Sequence, residues 1–129
     1  NCLETLSYLI AETGADIVAP SFKEFGVRDT TIILMNDPKL EDFKTANRIG
    51  YFSAIKKEAL LEIGGYSPRM IYGYEDLHLW FNLLNRGRRI ITTPEVLILY
   101  RTKEKSMIHE AIGHHTELMA QIYKDFPTI

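Results

Sequence analysis

Cysteine is almost absent from this 129-residue chain: Cys2 stands alone, so no intrachain disulfide can form. That favours a reducing compartment. No apolar run approaches the ~18 residues that a membrane-spanning helix requires, and no signal-peptide pattern opens the sequence. Asn1 stands where a native start would place Met, so the chain is expected to be a processed product or an excised piece. An excess of positive charge is missing too. The formal net charge is −2 with acids and bases interspersed, so nothing amounts to an electrostatic footprint for nucleic acid. The densest basic stretch, Arg86, Arg88 and Arg89, flanks Gly87. It reads first as a solvated turn and second as a contact to an anionic donor or lipid surface.

What is present describes one ordinary domain, or a large piece of one: 46% hydrophobic and 25% charged residues. A chain of this length takes roughly two thirds of its unfolded surface out of water. No repeat, low-complexity tract or linker divides it, so residues 1–129 are read as a single domain. Leu3 to Thr13 has helical apolar spacing and Gly14 stops it. Asp16 to Pro20 reads as a buried strand closed by its proline, and Thr30 to Met35 as a second strand ended by Asn36-Asp37-Pro38. Lys39 to Asn47 reads as loop or short helix, and Ile49 to Ile55 as extended chain. A short helix through Lys57 to Ile63 follows, stopped by Gly64-Gly65. Tyr66 to Tyr74 is irregular. Glu75 to Arg86 is the clearest helix, with acids in its first turn, an arginine in its last and Gly87 beyond. Strands Arg89 to Thr92 and Glu95 to Tyr100, separated by Pro94, precede a final helix over Met107 to Phe126 with a defect at Gly113. Helices alternating with short strands give an α/β class, with α+β as the alternative.

The chemistry concentrates in Tyr72-Gly73-Tyr74-Glu75-Asp76-Leu77, where a glycine-bearing loop delivers two adjacent carboxylates to a helix start. Leu77, Trp80, Phe81 and Leu84 follow at core-facing spacing and fix where Asp76 points. A helix N-terminus favours an ionised carboxylate. An ionised, positioned carboxylate suits a general base, a role worth about 10²–10⁴-fold in rate. The plain alternative is that acids in a first turn stabilise the helix and do nothing else. Trp80 reads as core before sugar platform. His78 reads as a surface or acceptor-groove residue without a role. His109-Glu110 and His114-His115 miss the spacing of a zinc helix by one residue, so they read as the polar face of the last helix.

Around this block lie Asn47-Arg48-Ile49-Gly50-Tyr51-Phe52, Gly64-Gly65-Tyr66, Arg86-Gly87, Pro94-Glu95-Val96-Leu97 and Tyr100-Arg101. In order and spacing over Arg48 to Ser106, the set resembles the C-terminal, acceptor-side half of family 2 glycosyltransferases, which have the GT-A fold. The resemblance implies a partial nucleotide-diphospho-sugar transferase fold, a short mixed sheet flanked by helices. It implies transfer of a sugar from a nucleotide-sugar donor to a glycan or lipid-linked acceptor with inversion. Asp76 would be the base, and Glu75 would orient it or hydrogen-bond the acceptor. The Gly64-Gly65-Tyr66 turn would lie at the acceptor, Tyr66 stacking on the sugar, beside Tyr74. Its plain alternative is a helix stop with a core aromatic. Many relatives continue Tyr-Arg-x-His-x-x-Ser, whereas Lys103 stands at the His position here, so Arg101 and Lys103 become the candidate contacts to the leaving diphosphate.

The opening Asn1 to Val18 resembles the segment that follows the family's DxD motif, and no such motif precedes it. The resemblance therefore implies that the nucleotide-binding half and the ligands of a divalent cation, Mn or Mg, belong outside this chain, leaving it inactive alone. Such a piece is expected to expose strand edges and apolar surface and to be marginally stable or self-associating. A cytoplasmic place, or one peripheral at the inner membrane face, follows from the family. The alternatives are a carbohydrate-binding domain without catalysis and a structural domain of unrelated fold.

Overall fold

The computed structural model describes residues 1–104 and 111–129. Helix α1 (Cys2–Thr13) is capped at both ends, by the Asn1 side chain accepting from Glu4 N–H and by Gly14 in the left-handed region at φ 71°. Strand β1 (Ile17–Gly26) is the spine of a four-stranded mixed sheet. One edge of β1 pairs in parallel with β4 (Ile90–Thr102) along its whole length. The other edge holds two short antiparallel partners: β3 (Ala54–Ile55) against Val18 and Ile17, and β2 (Thr31–Ile32) against Lys23 and Phe22. Among the described residues no helix is long and apolar enough to cross a membrane. The class is mixed α/β of the α+β kind.

The two prolines do not end strands as their sequence context suggests. Pro20 lies inside β1 and Pro94 inside β4, so the two expected C-terminal strands are one. The register slips between Pro20 and Ser21 and again between Ser21 and Phe22, where Thr93 is followed by Val96 and then Ile98 as partners. Bulges are where a sheet tolerates a residue without an N–H. Buried side-chain bonds replace the lost ladder: Ser21 Oγ donates to the Thr93 carbonyl (2.8 Å) and accepts from Leu34 N–H (3.1 Å). Strand β2 is shorter than its β-branched run, and Leu34 N–H, beyond its end, donates to Ser21 Oγ instead of a strand partner.

A 3₁₀ turn spans Leu40–Lys44, α2 spans Lys57–Glu62 and α3 spans Glu75–Asn85. Residues 111–113 are helical, and the helix breaks at His114, next to Gly113, before α4 (His115–Asp125). The expected helix start at 107–110 lies outside the described residues.

Two clusters cover the two faces of the sheet. Leu6 of α1 packs with Val18 and Ile91 on one face. On the other, α3 inserts Leu77, Trp80, Phe81 and Leu83 between Ile17 and Ile90 of the sheet and Leu118 and Ile122 of α4. Each large apolar side chain so buried contributes about 1.5–3 kcal/mol. Trp80 is thus core, fully buried, with no partner for its indole N–H among the described residues. Because α4 covers a second face of α3, His78 is also buried, which corrects its reading as a surface residue. His78 Nε2 lies 2.8 Å from Asp125 Oδ2, and Asp125 also accepts from Arg69 Nη2 (2.8 Å) and Gln121 Nε2 (2.9 Å). That cluster locks α4 onto α3 and thereby fixes the helix that carries Asp76.

Candidate active site

The loop ahead of α3 is strained where it delivers the acids. Gly73 has φ 127°, and a Cβ there would lie 2.6 Å from the Cβ of Ala111. Tyr74 takes the left-handed conformation at φ 57°, a geometry that costs a side-chain-bearing residue about 1–2 kcal/mol. Its hydroxyl is held 2.8 Å from His115 Nδ1, so α4 pins the loop in place. Beside it the rings of Tyr72 and His114 stack at 3.7 Å. The histidine pair, His114 partly exposed and His115 exposed, therefore braces the loop. His109-Glu110 falls outside the described residues.

As N-cap of α3, Tyr74 supplies no side-chain acceptor, and Asp76 takes over part of that task. Asp76 Oδ1 accepts from Leu77 N–H and Oδ2 from Asn47 Nδ2, both at 2.9 Å. Burial pushes the Asp76 carboxyl above its ordinary pKa, and the charge of Glu75 adds to the shift. The two hydrogen bonds oppose that shift without cancelling it. A partly desolvated carboxylate with few donors is a stronger base than one in water.

Asp76, Glu75 and Tyr74 form one wall of a cleft of 720 Å³. The same cleft is lined by a cluster of aromatic rings. The Phe22 and Phe52 ring centroids are 5.2 Å apart, Tyr51 and Phe52 5.3 Å, and Tyr100 lies 5.9 Å from both Phe22 and Phe52. Tyr51 is 60% exposed, so this cluster presents ring surface to the cleft. Gly50 lets it close up: a Cβ there would strike the Phe52 ring at 2.4 Å. A second cavity, of 340 Å³, opens behind Asp76, and Asp76, Asn47 and Tyr74 line both. The basic groups of the cleft are Arg28 and Arg48. Arg28 is paired with Glu24 at 2.9 Å, and Arg48 is spent on the Asp42 carbonyl and Thr45 Oγ1.

The other expected residues lie around or beyond this cleft. Tyr66 is half-exposed on the acid-bearing side. Burial raises its phenol pKa first, and the charges of Asp76 and Glu75 raise it further. Gly64 and Gly65, at φ 74° and 81°, have open space where a Cβ would stand, so their backbone conformation alone explains glycine there. Arg101 is on the opposite face of β4 from Tyr100, over the Phe25 ring at 5.5 Å, and Lys103 is exposed beyond the strand; neither lines the cleft. The Tyr-Arg pair thus contributes its tyrosine. Sequence reasoning passed over Asn47 as a partner of Asp76 and missed the aromatic wall. The doublet Tyr51-Phe52 was the available signal for the wall.

Among the described residues of the cleft, none forms a ready site for a divalent cation. Glu24 is committed to Arg28, both Asp76 oxygens accept from amides, and among the described residues no three potential ligands converge.

Comparisons with protein-family models, with curated proteins and with solved structures return no match.

Proposed function

We propose that this chain carries the acceptor site and catalytic base of a sugar transferase of the family 2, GT-A kind. One observation carries the reading: a carboxylate of raised pKa, Asp76, and a cluster of aromatic rings line one cleft large enough for a sugar. Pyranose rings present C–H faces that pack on aromatic rings, and Phe22, Tyr51, Phe52 and Tyr100 supply such a surface. A hydroxyl of a sugar packed there meets Asp76 in the same cleft. Asp76 takes the hydroxyl proton as that oxygen bonds to the anomeric carbon of a nucleotide-activated sugar, and the nucleoside diphosphate leaves with the electron pair of the broken C–O bond. Glu75 lies beside Asp76 for a hydrogen bond to the acceptor. The donor, its cation and inversion at the anomeric carbon rest on the resemblance of Arg48 to Ser106 alone. No step is assigned to Arg101 or Lys103.

The aromatic cleft also supports a second reading, sugar binding without transfer. Saccharide titration of this chain followed by NMR, paired with a transfer assay on Asp76→Asn in the intact enzyme that carries the donor-binding half, separates the readings. The proposal expects shifts at Tyr51 and Tyr100, retained binding in the variant, and transfer reduced about 10²–10⁴-fold. Binding without transfer by the wild type leaves the binding module, transfer untouched by Asp76→Asn removes Asp76 as the base, and no saccharide response removes both.

A further inference from the structure

We propose that His115 is a positioning residue for Asp76: through its hydrogen bond with the Tyr74 hydroxyl it holds the carboxylate against Asn47 in the cleft. The inference rests on the reading of Asp76 as the base, but its test reads the geometry of the site and not transfer.

The backbone of Tyr74 gives the first reason. A left-handed φ of 57° is free for glycine and costly for a residue with a Cβ. Strain of this kind persists where the side chain is needed. The side chain makes no capping hydrogen bond to α3. Its ring packs partly buried against the core, a task that phenylalanine would perform as well. The hydroxyl has a different task, since it lies 2.8 Å from His115 Nδ1, with the two rings edge-on at 5.6 Å. His115 is exposed, so the core does not require it either. It is nevertheless fixed in place, because it opens α4, whose Leu118 and Ile122 are buried. The stacked rings of Tyr72 and His114 hold the same two segments together one step away.

The position of Tyr74 passes to Asp76 through a single helical turn. The Tyr74 carbonyl accepts from His78 N–H at 2.9 Å, the bond that opens α3. His78 is held in turn by Asp125 at the far end of α4. Asp76 lies between these two fixed points in the chain. Among the described residues, Asn47 is the one side chain from outside α3 that bonds to it, at 2.9 Å. Tyr74, Asp76 and Asn47 are also the three residues that line both cavities, so a loosened Tyr74 frees the carboxylate on both sides. A reacting group displaced by about 1 Å can lose ~10²-fold in rate, which is why a base needs such a brace.

The Asn47 side-chain amide therefore reports where Asp76 stands, and ¹⁵N NMR of the 129-residue chain reads it, with circular dichroism following the fold of each variant. Asp76→Ala supplies the position of the amide signals without the carboxylate. His115→Ala and Tyr74→Phe should each move the signals toward that position. The double variant should move them no further, because both changes remove one bond. His115→Asn, which keeps a polar atom near the place of Nδ1, should hold the signals where the wild type has them. Folded His115→Ala and Tyr74→Phe variants with wild-type Asn47 signals overturn the proposal. So do effects that add in the double variant, or a wild type whose Asn47 signals already match those of Asp76→Ala. Transfer untouched by Asp76→Asn would remove the base and leave this contact standing, so the two failures are distinct.

Discussion

Two carboxylates tied to α3 sit in opposite surroundings. Asp125 gathers His78, Arg69 and Gln121 around one carboxyl group. Burial works against its charge, but those hydrogen bonds outweigh burial and hold its pKa below the ordinary carboxylate value. Asp76 has two amide donors and an acidic neighbour, and burial wins, so its pKa is raised. One carboxylate is satisfied as a structural clamp should be. The other has two amide donors and lines a cleft. Perturbation in this direction, with specific geometry, marks functional sites more than structural ones.

Removing the clamp should have the largest effect on stability. Asp125→Ala leaves buried His78 without its partner and exposed Arg69 without its ion pair, and should cost about 1–3 kcal/mol in urea denaturation, the cost of an unsatisfied buried polar group. The pH dependence carries the same sign. A depressed folded pKa means that the Asp125 contribution is present above the unfolded carboxylate value of about 3.9 and is lost as pH falls through the folded pKa. Wild type and Asp125→Ala should therefore converge in acid.

Tyr51→Ala removes an exposed ring from the aromatic cluster of the cleft. It should weaken saccharide binding by about tenfold, in line with ~1.5 kcal/mol for an aromatic contact, while the unfolding midpoint hardly moves. Asn47→Ala takes away one of the hydrogen bonds that oppose the rise of the Asp76 pKa. The acid limb of the transfer-rate profile should move to higher pH, with a stability loss of about 1 kcal/mol. A profile that stays in place would mean that Asn47 does not position the base.

Much of the frame was legible in the sequence. The capped α1, the stop at Gly64-Gly65 and the core stripe of α3 all follow local rules, and the structure has them. The prolines misled because their missing N–H groups were absorbed by a bulge and by Ser21, 72 residues from Thr93 in the chain. His78 misled because helical periodicity predicts one buried face, whereas α4 covers a second. The alignment of Tyr51 and Phe52 with Phe22 and Tyr100 depends on strand pairings that no local pattern encodes. The Glu75-Asp76 pair was legible as an acidic helix start. Its raised pKa comes from the surroundings of the folded cleft, and so it was not.

The central claim is that Asp76 is kept for chemistry and not for the stability of α3. The most direct test is the unfolding free energy of Asp76→Asn against wild type at pH 7 and in acid. A folded pKa above the unfolded one means that ionised Asp76 costs stability at neutral pH, and that this cost disappears below the unfolded carboxylate value of about 3.9. The account predicts a variant at least as stable as wild type at pH 7, with the two curves meeting in acid. A variant less stable than wild type at pH 7 by 1 kcal/mol or so, the usual worth of a helix-capping side chain, would contradict it and leave Asp76 as a first-turn acid.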